Sequence, residues 1–404
     1  MDFMEFFQAF LLVLGVVLKL ASGYFLAVSL FALRRARPFP DAYPETRFAV
    51  VIAARNEETV IANLVKSLLA QHYPRGLFDV IVVPNNCTDG TENAARLAGA
   101  RIMRCENPVR RKGDVLNEVF AKLMKYSYDA FVVFDADNIA EPNSLAEMNR
   151  AFAAGAEVCK GRIMAKNPYT SATSGCYTLH FEMSHLFLNR ARAACGLSAK
   201  INGTGFAVSR KALERLGGWN TQTITEDAEF TAQLAHAGIR ATYVPRAITY
   251  DEQPTSPAVS VTQRLRWCGG IVSVAKLTVP PALAKRPTAL LFDSIMTVTT
   301  PYFQAAGAIP AAYSLFAALA GGAPTFAAFA AQLALAYAAL AVFAAATAAI
   351  AGYSVPKMLR GIAAYPLFLA SWVPIQVYSV FRQTSEWRQI RHSSVENLSV
   401  KALR

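Results

Sequence analysis

Charge is scarce in this chain. Asp, Glu, Lys and Arg make up 17% of its 404 residues, against 54% hydrophobic ones, and the mean hydropathy is +0.27. An ordinary soluble protein carries about a quarter charged residues, so that class is excluded. Cysteine is equally sparse: Cys87, Cys105, Cys159, Cys176, Cys195 and Cys268 show no CxxC or Cys/His spacing. That removes zinc ribbons and suits reduced, structural thiols in a cytosolic setting. No P-loop and no GxGxxG follows the first strand-like run, which disfavours a Walker ATPase and a dinucleotide dehydrogenase. The net charge is +12, yet no basic stripe with interleaved aromatics exists, so nucleic acid is not an expected partner. Basic residues flanking apolar helices account for the charge more simply.

What the chain has instead is long apolar runs, at 8–33, 288–320, 323–352 and 360–381. Each is long enough for a hydrocarbon core of ~30 Å, which needs roughly 20 helical residues. The first is too long for a signal peptide and begins with Asp2 and Glu5, not a basic region, so it reads as an anchoring helix. Arg34, Arg35 and Arg37 follow it. By the positive-inside rule they put the next domain in the cytoplasm of a multi-pass plasma-membrane protein. The organisation predicted is an anchor at 1–37, a cytosolic α/β domain at 38–254 and interface helices at 255–286. Membrane helices at 287–382 and a basic amphipathic tail at 383–404 complete it. The stretch 288–322 holds Asp293, Pro301 and Pro310, a broken segment in which an intramembrane Asp is a functional candidate or an interfacial residue. Three crossings after a cytosolic domain leave the tail outside, whereas its basic character argues for the inside; both arrangements stay open.

Between the first two runs, β-branched stretches alternate with helical patterns. RFAVVIAAR (47–55), FDVIVVPNN (78–86), ARIMRC (100–105) and DAFVVFDAD (129–137) read as strands. Helices are predicted over 56–71, near 88–99 and over KGDVLNEVFAKLMKY. This order predicts a parallel, doubly wound sheet, whose ligands sit outside the carboxyl ends of the strands. Arg55, Asn56 and Glu57, Asn85 and Asn86, and Asp135 and Asp137 all fall at those ends. A surface turn tolerates two aspartates one residue apart, but so does a strand end holding a divalent cation between hard oxygen ligands.

Two further stretches carry chemistry. TITEDAEFTAQLAHAG (223–238) puts Thr225, Glu226 and Asp227 at a helix start, where an N-cap is the plain alternative. QRLRWCGG (263–270) sets Gln263, Arg266 and Trp267 on one helical face, as a basic amphipathic helix on a membrane also does.

Together, DAD, TED and QRLRW, in this order between apolar runs, resemble the metal-binding, catalytic-base and Q-x-x-R-W motifs of the processive family 2 membrane glycosyltransferases, the cellulose, chitin and hyaluronan synthases. NCTDGT, NGTGF and DEQP are similar to stretches of compact bacterial synthase-like proteins linked to β-glucans. The resemblance implies a cytosolic, Rossmann-like GT-A domain with a helical transmembrane bundle. It implies Mg²⁺ or Mn²⁺ on Asp137 and Asp135, which would also bind the donor diphosphate. Ala54, Glu57, Asn85, Asn86 and Lys112 would face the UDP moiety. Asp227 would be the general base, flanked by Thr225 and Glu226. Asn202, Gly203, Thr204 and Gly205 would shape the acceptor pocket. On the QRLRW helix, Gln263 and Arg266 would contact substrate, Arg266 at the diphosphate, and Trp267 would stack under the acceptor sugar. One departure stands out: Asn85 occupies a position where relatives usually carry an acid. An Asn carbonyl still accepts from uracil N3–H, without charge assistance.

The function expected is therefore inverting, processive synthesis of a β-linked polysaccharide from a UDP-sugar, UDP-glucose being the choice the look-alikes suggest, with passage of the product through the bilayer. The alternatives are a single-transfer enzyme with a lipid acceptor, and an inactive membrane protein that binds nucleotide or glycan.

Overall fold

The computed structural model describes residues 3–34 and 38–382. The predicted tail at 383–404 and the basic residues Arg35 and Arg37 lie outside the described residues.

Helix α1 (Phe3–Leu30) runs unbroken and exposes Leu12, Val13, Val16, Leu20 and Leu26 around its surface. Apolar exposure on this scale suits lipid, not water. The sheet domain follows as β1 (Phe48–Ala54), α2 (Ile61–Leu69), β2 (Phe78–Pro84), α3 (Thr91–Leu97), β3 (Arg101–Ile102), α4 (Lys112–Leu123), β4 (Ala130–Asp135), β5 (Ile139–Ala140), α5 (Ser144–Ala153) and β6 (Val158–Ala165). Then come α6 (Ala172–Met183), a π-helical stretch (Ser184–Arg190) and α7 (Ala191–Ala194), which follow one another without a break. β7 (Phe206–Ser209), α8 (Arg210–Leu216), α9 (Glu226–His236) and β8 (Ala241–Asp251) complete it.

The eight strands lie in the order β3-β2-β1-β4-β7-β6-β8-β5. β1, β2 and β4 are almost wholly buried on both faces, which is why they read as continuous β-branched runs without alternation. Phe48, Val50 and Ile52 pack on Ile61, Leu64 and Leu68 of α2. Ala49 and Val51 pack on the other side with Val115, Leu116 and Phe120 of α4. The parallel, doubly wound expectation holds for β3, β2, β1 and β4. Beyond β4 the sheet is mixed: β7 runs antiparallel to both β4 and β6. The chain enters β7 through the turn at 202–205, where Gly203 (φ 57°) and Gly205 (φ 62°) take left-handed backbone. A side chain at Gly205 would also overlap Thr249.

Two local boundaries differ from the periodicity. The helix expected from 56 starts at Ile61, because Asn56 is left-handed (φ 57°) and its Oδ1 accepts from Thr88 N at 2.7 Å. The third strand shrinks to Arg101–Ile102 at the sheet edge.

After the sheet come α10 (Pro257–Leu283), α11 (Ala289–Val298), α12 (Thr300–Ala320), α13 (Gly322–Ile350), α14 (Val355–Ala370) and α15 (Trp372–Phe381). Four helical segments, Met4–Leu33, Thr300–Ala320, Gly322–Ile350 and Val355–Phe381, are long and apolar enough to cross a membrane. The broken stretch at 288–322 resolves into two helices. α11, with ten residues, is too short to cross, and Asp293 belongs to it. Pro301 sits in the first turn of α12, where its missing N–H costs nothing. The sheet domain is fastened to the helices through α6 on α14, where the Cα of Gly361 would lie 2.9 Å from a Cβ on Gly175. Any side chain at either glycine would force these helices apart.

Candidate active site

The carboxyl ends of β1, β2 and β4 converge, as the strand order requires. At the β1–β2 end, Ala54 O accepts from Asn85 N at 2.9 Å and from Asn85 Nδ2 at 3.2 Å. Both donors of Asn85 are thus spent on Ala54 O. Asn86 is left-handed (φ 49°) and its Nδ2 donates to Val109 O at 2.8 Å, so its amide is spent on the loop. Glu57 N donates to Thr91 Oγ1 at 2.8 Å, which binds the 55–58 turn to the start of α3. These residues form one rim.

The second group gathers about Gly203. Lys112, the first residue of α4, donates from Nζ to Asp135 Oδ1 at 2.5 Å and to Gly203 O at 2.7 Å, with Glu226 Oε1 at 3.6 Å. Gly203 N donates to Asp227 Oδ2 at 2.5 Å, and Asp227 Oδ1 accepts from Ala228 N at 2.8 Å. DAD, KGDVLN, NGTGF and TED therefore meet within one hydrogen-bonded unit, although 115 residues separate Lys112 from Asp227 in sequence. Gly113 lets α4 approach: a Cβ there would lie 2.5 Å from Thr221 Oγ1 and 3.3 Å from Glu226 Cβ. Thr225 makes no side-chain cap bond at the start of α9, and Asp227 divides its oxygens between the first-turn amide of Ala228 and Gly203 N outside the helix. The loop before α9 is pinned by fully buried Glu229, which accepts from Gln222 N and Thr223 N.

Charge sets the protonation of this cluster. Burial works against the Lys112 ammonium, but Asp135 and Glu226 outweigh it and hold its pKa above the usual lysine value. Burial pushes Glu226 up to about 7 against the pull of Lys112, with Asp227 and Asp135 adding to the rise. Between pH 4.5 and 7 the unfolded chain releases this proton while the folded protein retains it. Stability should therefore fall as pH rises through that window. Glu226→Gln is expected to flatten this part of the profile, as read from thermal unfolding in detergent at pH 5 and pH 7.

β4 ends at Asp135, two residues short of the expected strand, and Asp137 lies in the turn that follows. Asp135 is 38% exposed at its side chain, while Asp137 is buried. Among the described residues no group of three or more His, Cys, Asp and Glu could hold a metal by itself. Two carboxylates suit a hard cation whose remaining ligands come from phosphate oxygens. The Lys112 ammonium, already enclosed by Asp135, Gly203 O and Glu226, marks the place as one that favours positive charge. The donor set thus fits Mg²⁺ or Mn²⁺ only together with a diphosphate.

Several residues at the site escaped the sequence reading. Asn138 is fully buried and joins Asp135 N (3.2 Å), Asp251 Oδ1 (2.8 Å), Asp137 Oδ1 (3.3 Å) and Thr204 Oγ1. Its signal was the Asn directly after DAD, answered by the Asp of DEQP. Lys160 is buried on β6, donates to Thr204 O at 2.6 Å, and is brought down by burial to about 7. Nothing local in VCKGRIMA marks it.

On α10, Gln263, Arg266 and Trp267 are partly exposed and Arg264 is buried. The helix presses on the TED segment: a Cβ at Gly270 would overlap Thr225. Trp267 is not a free platform, because it packs on Tyr177 and Phe181 with centroids at 5.9 and 6.4 Å. Arg264 anchors the helix, donating to Ser371 Oγ at 2.7 Å and lying over Phe368 and Trp372 at 4.5 and 5.3 Å. Three buried oxygens, Asn202 Oδ1, Thr225 Oγ1 and Gln263 Oε1, have no hydrogen-bond partner in the protein. Asp293 forms a buried ion pair with Arg192 at 2.9 Å, away from this cluster.

Known proteins resemble this chain in sequence and fold. The family model for "Glycosyltransferase like family 2" matches residues 44–270, from the start of β1 to the end of QRLRWCGG. "Probable glycosyltransferase YdaM" of Bacillus subtilis is 30% identical over 237 residues, 55% of each chain. A beta-monoglucosyldiacylglycerol synthase of Nostoc is 29% identical over 279 residues, 65% of this chain and 57% of that one. A poly-beta-1,6-N-acetyl-D-glucosamine synthase of Staphylococcus epidermidis is 23% identical over 263 residues, 62% of each. The chain thus spans little more than half the length of the curated relatives it matches. Among solved structures, the mannosyltransferase PcManGT of Pyrobaculum calidifontis, in complex with GDP-Man and Mn²⁺, aligns with a TM-score of 0.63 at 21% identity. That alignment covers 91% of this chain and 98% of the other, so the GT-A fold and the helices after it are shared. A family match over more than half of the residues, spanning the strand ends and the helix that close the site, means that this chain belongs to glycosyltransferase family 2.

Proposed function

We propose that the protein is a membrane-bound, inverting glycosyltransferase that builds a β-linked polysaccharide from a UDP-sugar on the cytoplasmic side of the plasma membrane. The carrying observation is the unit around Gly203, which links a candidate base, Asp227, to the Lys112–Asp135 pair through the N–H and C=O of one residue. In this reading Asp227 takes the proton of an acceptor hydroxyl, whose oxygen attacks the anomeric carbon. Asp135 and Asp137 would hold a divalent cation, which supplies charge neutralisation to the departing diphosphate. Lys112 adds positive charge beside Asp135. One displacement converts an α-linked donor into a β-linked product. Asn85 Oδ1 and the Glu57 turn form the base-binding rim, and Arg266 reaches for the diphosphate. The unpartnered oxygens of Asn202, Thr225 and Gln263 call for donors, which sugar hydroxyls supply.

A second reading, single transfer to a lipid hydroxyl, is favoured by Trp267, whose ring is already engaged by Tyr177 and Phe181. The glucolipid synthase relative points the same way. Trp267→Ala tests whether this ring serves a growing polymer. Under polymer synthesis it should shorten the product and slow elongation while UDP affinity changes little; a structural Trp267 would instead lower UDP binding and leave product length unchanged.

The test of function is incubation of detergent-purified protein with radiolabelled UDP-sugars, and with GDP-mannose as a nucleotide control, in the presence of Mg²⁺ or Mn²⁺. Label in a high-molecular-weight product supports the leading reading. Label extracted into organic solvent supports the lipid acceptor. No incorporation from any donor overturns both and leaves a binding protein.

A further inference from the structure

Outside the Gly203 cluster, a narrow crevice opens between α9, the 198–200 segment and α11, with about 470 Å³ of empty space counting its mouth. Most of its wall is apolar, from Ile271, Leu290 and Val298 among others, and Arg192, Lys200 and Ser294 also line it. Arg192 is 1% exposed and spends Nε and Nη2 on Asp293 (2.9 and 3.1 Å) and Thr297 Oγ1 (3.0 Å), while its buried Nη1 has no partner. Lys200 is held by its backbone, N to Asn189 Oδ1 at 2.9 Å and O from Asn189 Nδ2 at 3.3 Å, yet its ammonium makes no hydrogen bond or ion pair. The hydroxyl of Ser294 has no partner either. Asp293 answers Arg192, and Asp227 is the carboxylate whose charge acts on Lys200, so what the wall leaves open is a set of donors, Arg192 Nη1, Lys200 Nζ and Ser294 Oγ. Leaving donors of this kind unsatisfied in a half-buried place is costly.

The location supplies the class of anion. α11 is a short apolar helix directly before the candidate span α12. Tyr24 of α1, itself a candidate span, donates to Asp293 Oδ1 at 2.8 Å. With α1 and α12 crossing a bilayer, the crevice lies where headgroups end and the sheet domain begins. Its size suits a compact tetrahedral group and not a glycan.

We propose that this crevice is a binding site for a phosphate-bearing anion, the headgroup of an anionic phospholipid, seated on Lys200 Nζ, Arg192 Nη1 and Ser294 Oγ. Thr231, which also lines it, donates to Asp227 O at 2.8 Å, so an occupied crevice would brace the first turn of α9 against the membrane helices. The proposal rests on the membrane reading of α1 and α12 and not on the identity of sugar or acceptor.

Full-length protein in detergent, titrated with short-chain phosphatidic acid and followed by thermal shift, tests it. A saturable rise in melting temperature is expected. Lys200→Gln should weaken half-saturation by about tenfold, the loss of one charge-assisted hydrogen bond, and Ser294→Ala by less. Arg286→Gln, an exposed cation on the neighbouring loop, should leave it unchanged. A parallel titration with inorganic phosphate separates the sources: equal affinity there would make the ligand free phosphate and overturn the lipid assignment. Equal half-saturation in wild type and Lys200→Gln, or equal losses in Lys200→Gln and Arg286→Gln, would overturn the site. Should Lys200→Gln fail to fold, Ser294→Ala carries the same comparison, since it removes no bond from the protein.

Discussion

Asp227→Asn is expected to lower sugar transfer by about 10²–10⁴-fold, the usual cost of losing a positioned base, while folding and UDP binding stay close to wild type. The carboxylate accepts from Gly203 N and Ala228 N at once. An amide keeps the size and offers one oxygen, which can stay on Gly203 N. Ala228 N belongs to the first turn of α9, where backbone donors commonly turn to solvent. The stability loss should therefore stay near ~1 kcal/mol. Asp227→Ala removes both acceptors and frees the NGTG turn, so it should lose stability as well as rate. A purely structural Asp227 predicts another pattern: Asp227→Asn would transfer sugar nearly normally and only the alanine variant would suffer. Thermal stability, UDP affinity and sugar incorporation, measured for both variants, decide the matter. Retention of more than about a tenth of the rate in Asp227→Asn would remove Asp227 from the catalytic role.

The second large effect concerns the cation. Asp137→Ala should reduce metal-dependent donor binding by roughly 10³-fold, since an ion holding a diphosphate contributes several kcal/mol. The strand end should survive, because Asn138 retains its bonds to Asp251, Thr204 and Asp135 N. Treating wild-type enzyme with a chelator should have the same consequence for activity, restored by adding Mg²⁺ or Mn²⁺. Full transfer by metal-free wild type would eliminate the cation from the reaction and leave Lys112 as the charge facing the diphosphate.

How much was legible before the structure depends on the range of the interaction. The strands β1, β2 and β4 were readable because burial on both faces demands an uninterrupted β-branched run, whatever their neighbours. The apolar helices were readable for a similar reason, as length and composition alone match a bilayer. DAD, TED and QRLRW could be found because each keeps its reactive residues within a few positions. Asn138, Lys160 and Arg192 could not, since each is a polar residue made tolerable only by partners far away in the chain. Helix α2 started late because Asn56 answers to Thr88, a contact no periodicity contains.

Sequence by itself determined the family-like motifs, their order, the parallel half of the sheet and the four apolar segments long enough to span a membrane. These are local properties, written in side-chain type and spacing. Tertiary structure alone decided that Gly203 joins Asp227 to Lys112 and Asp135, that Trp267 is already packed, and that Asp293 serves an ion pair with Arg192. It also turned the sheet antiparallel after β4, with two left-handed glycines at the entry to β7. Those outcomes depend on which surfaces meet when the chain closes on itself, and charge pairing, close backbone approach and unsatisfied donors exist only after that closure.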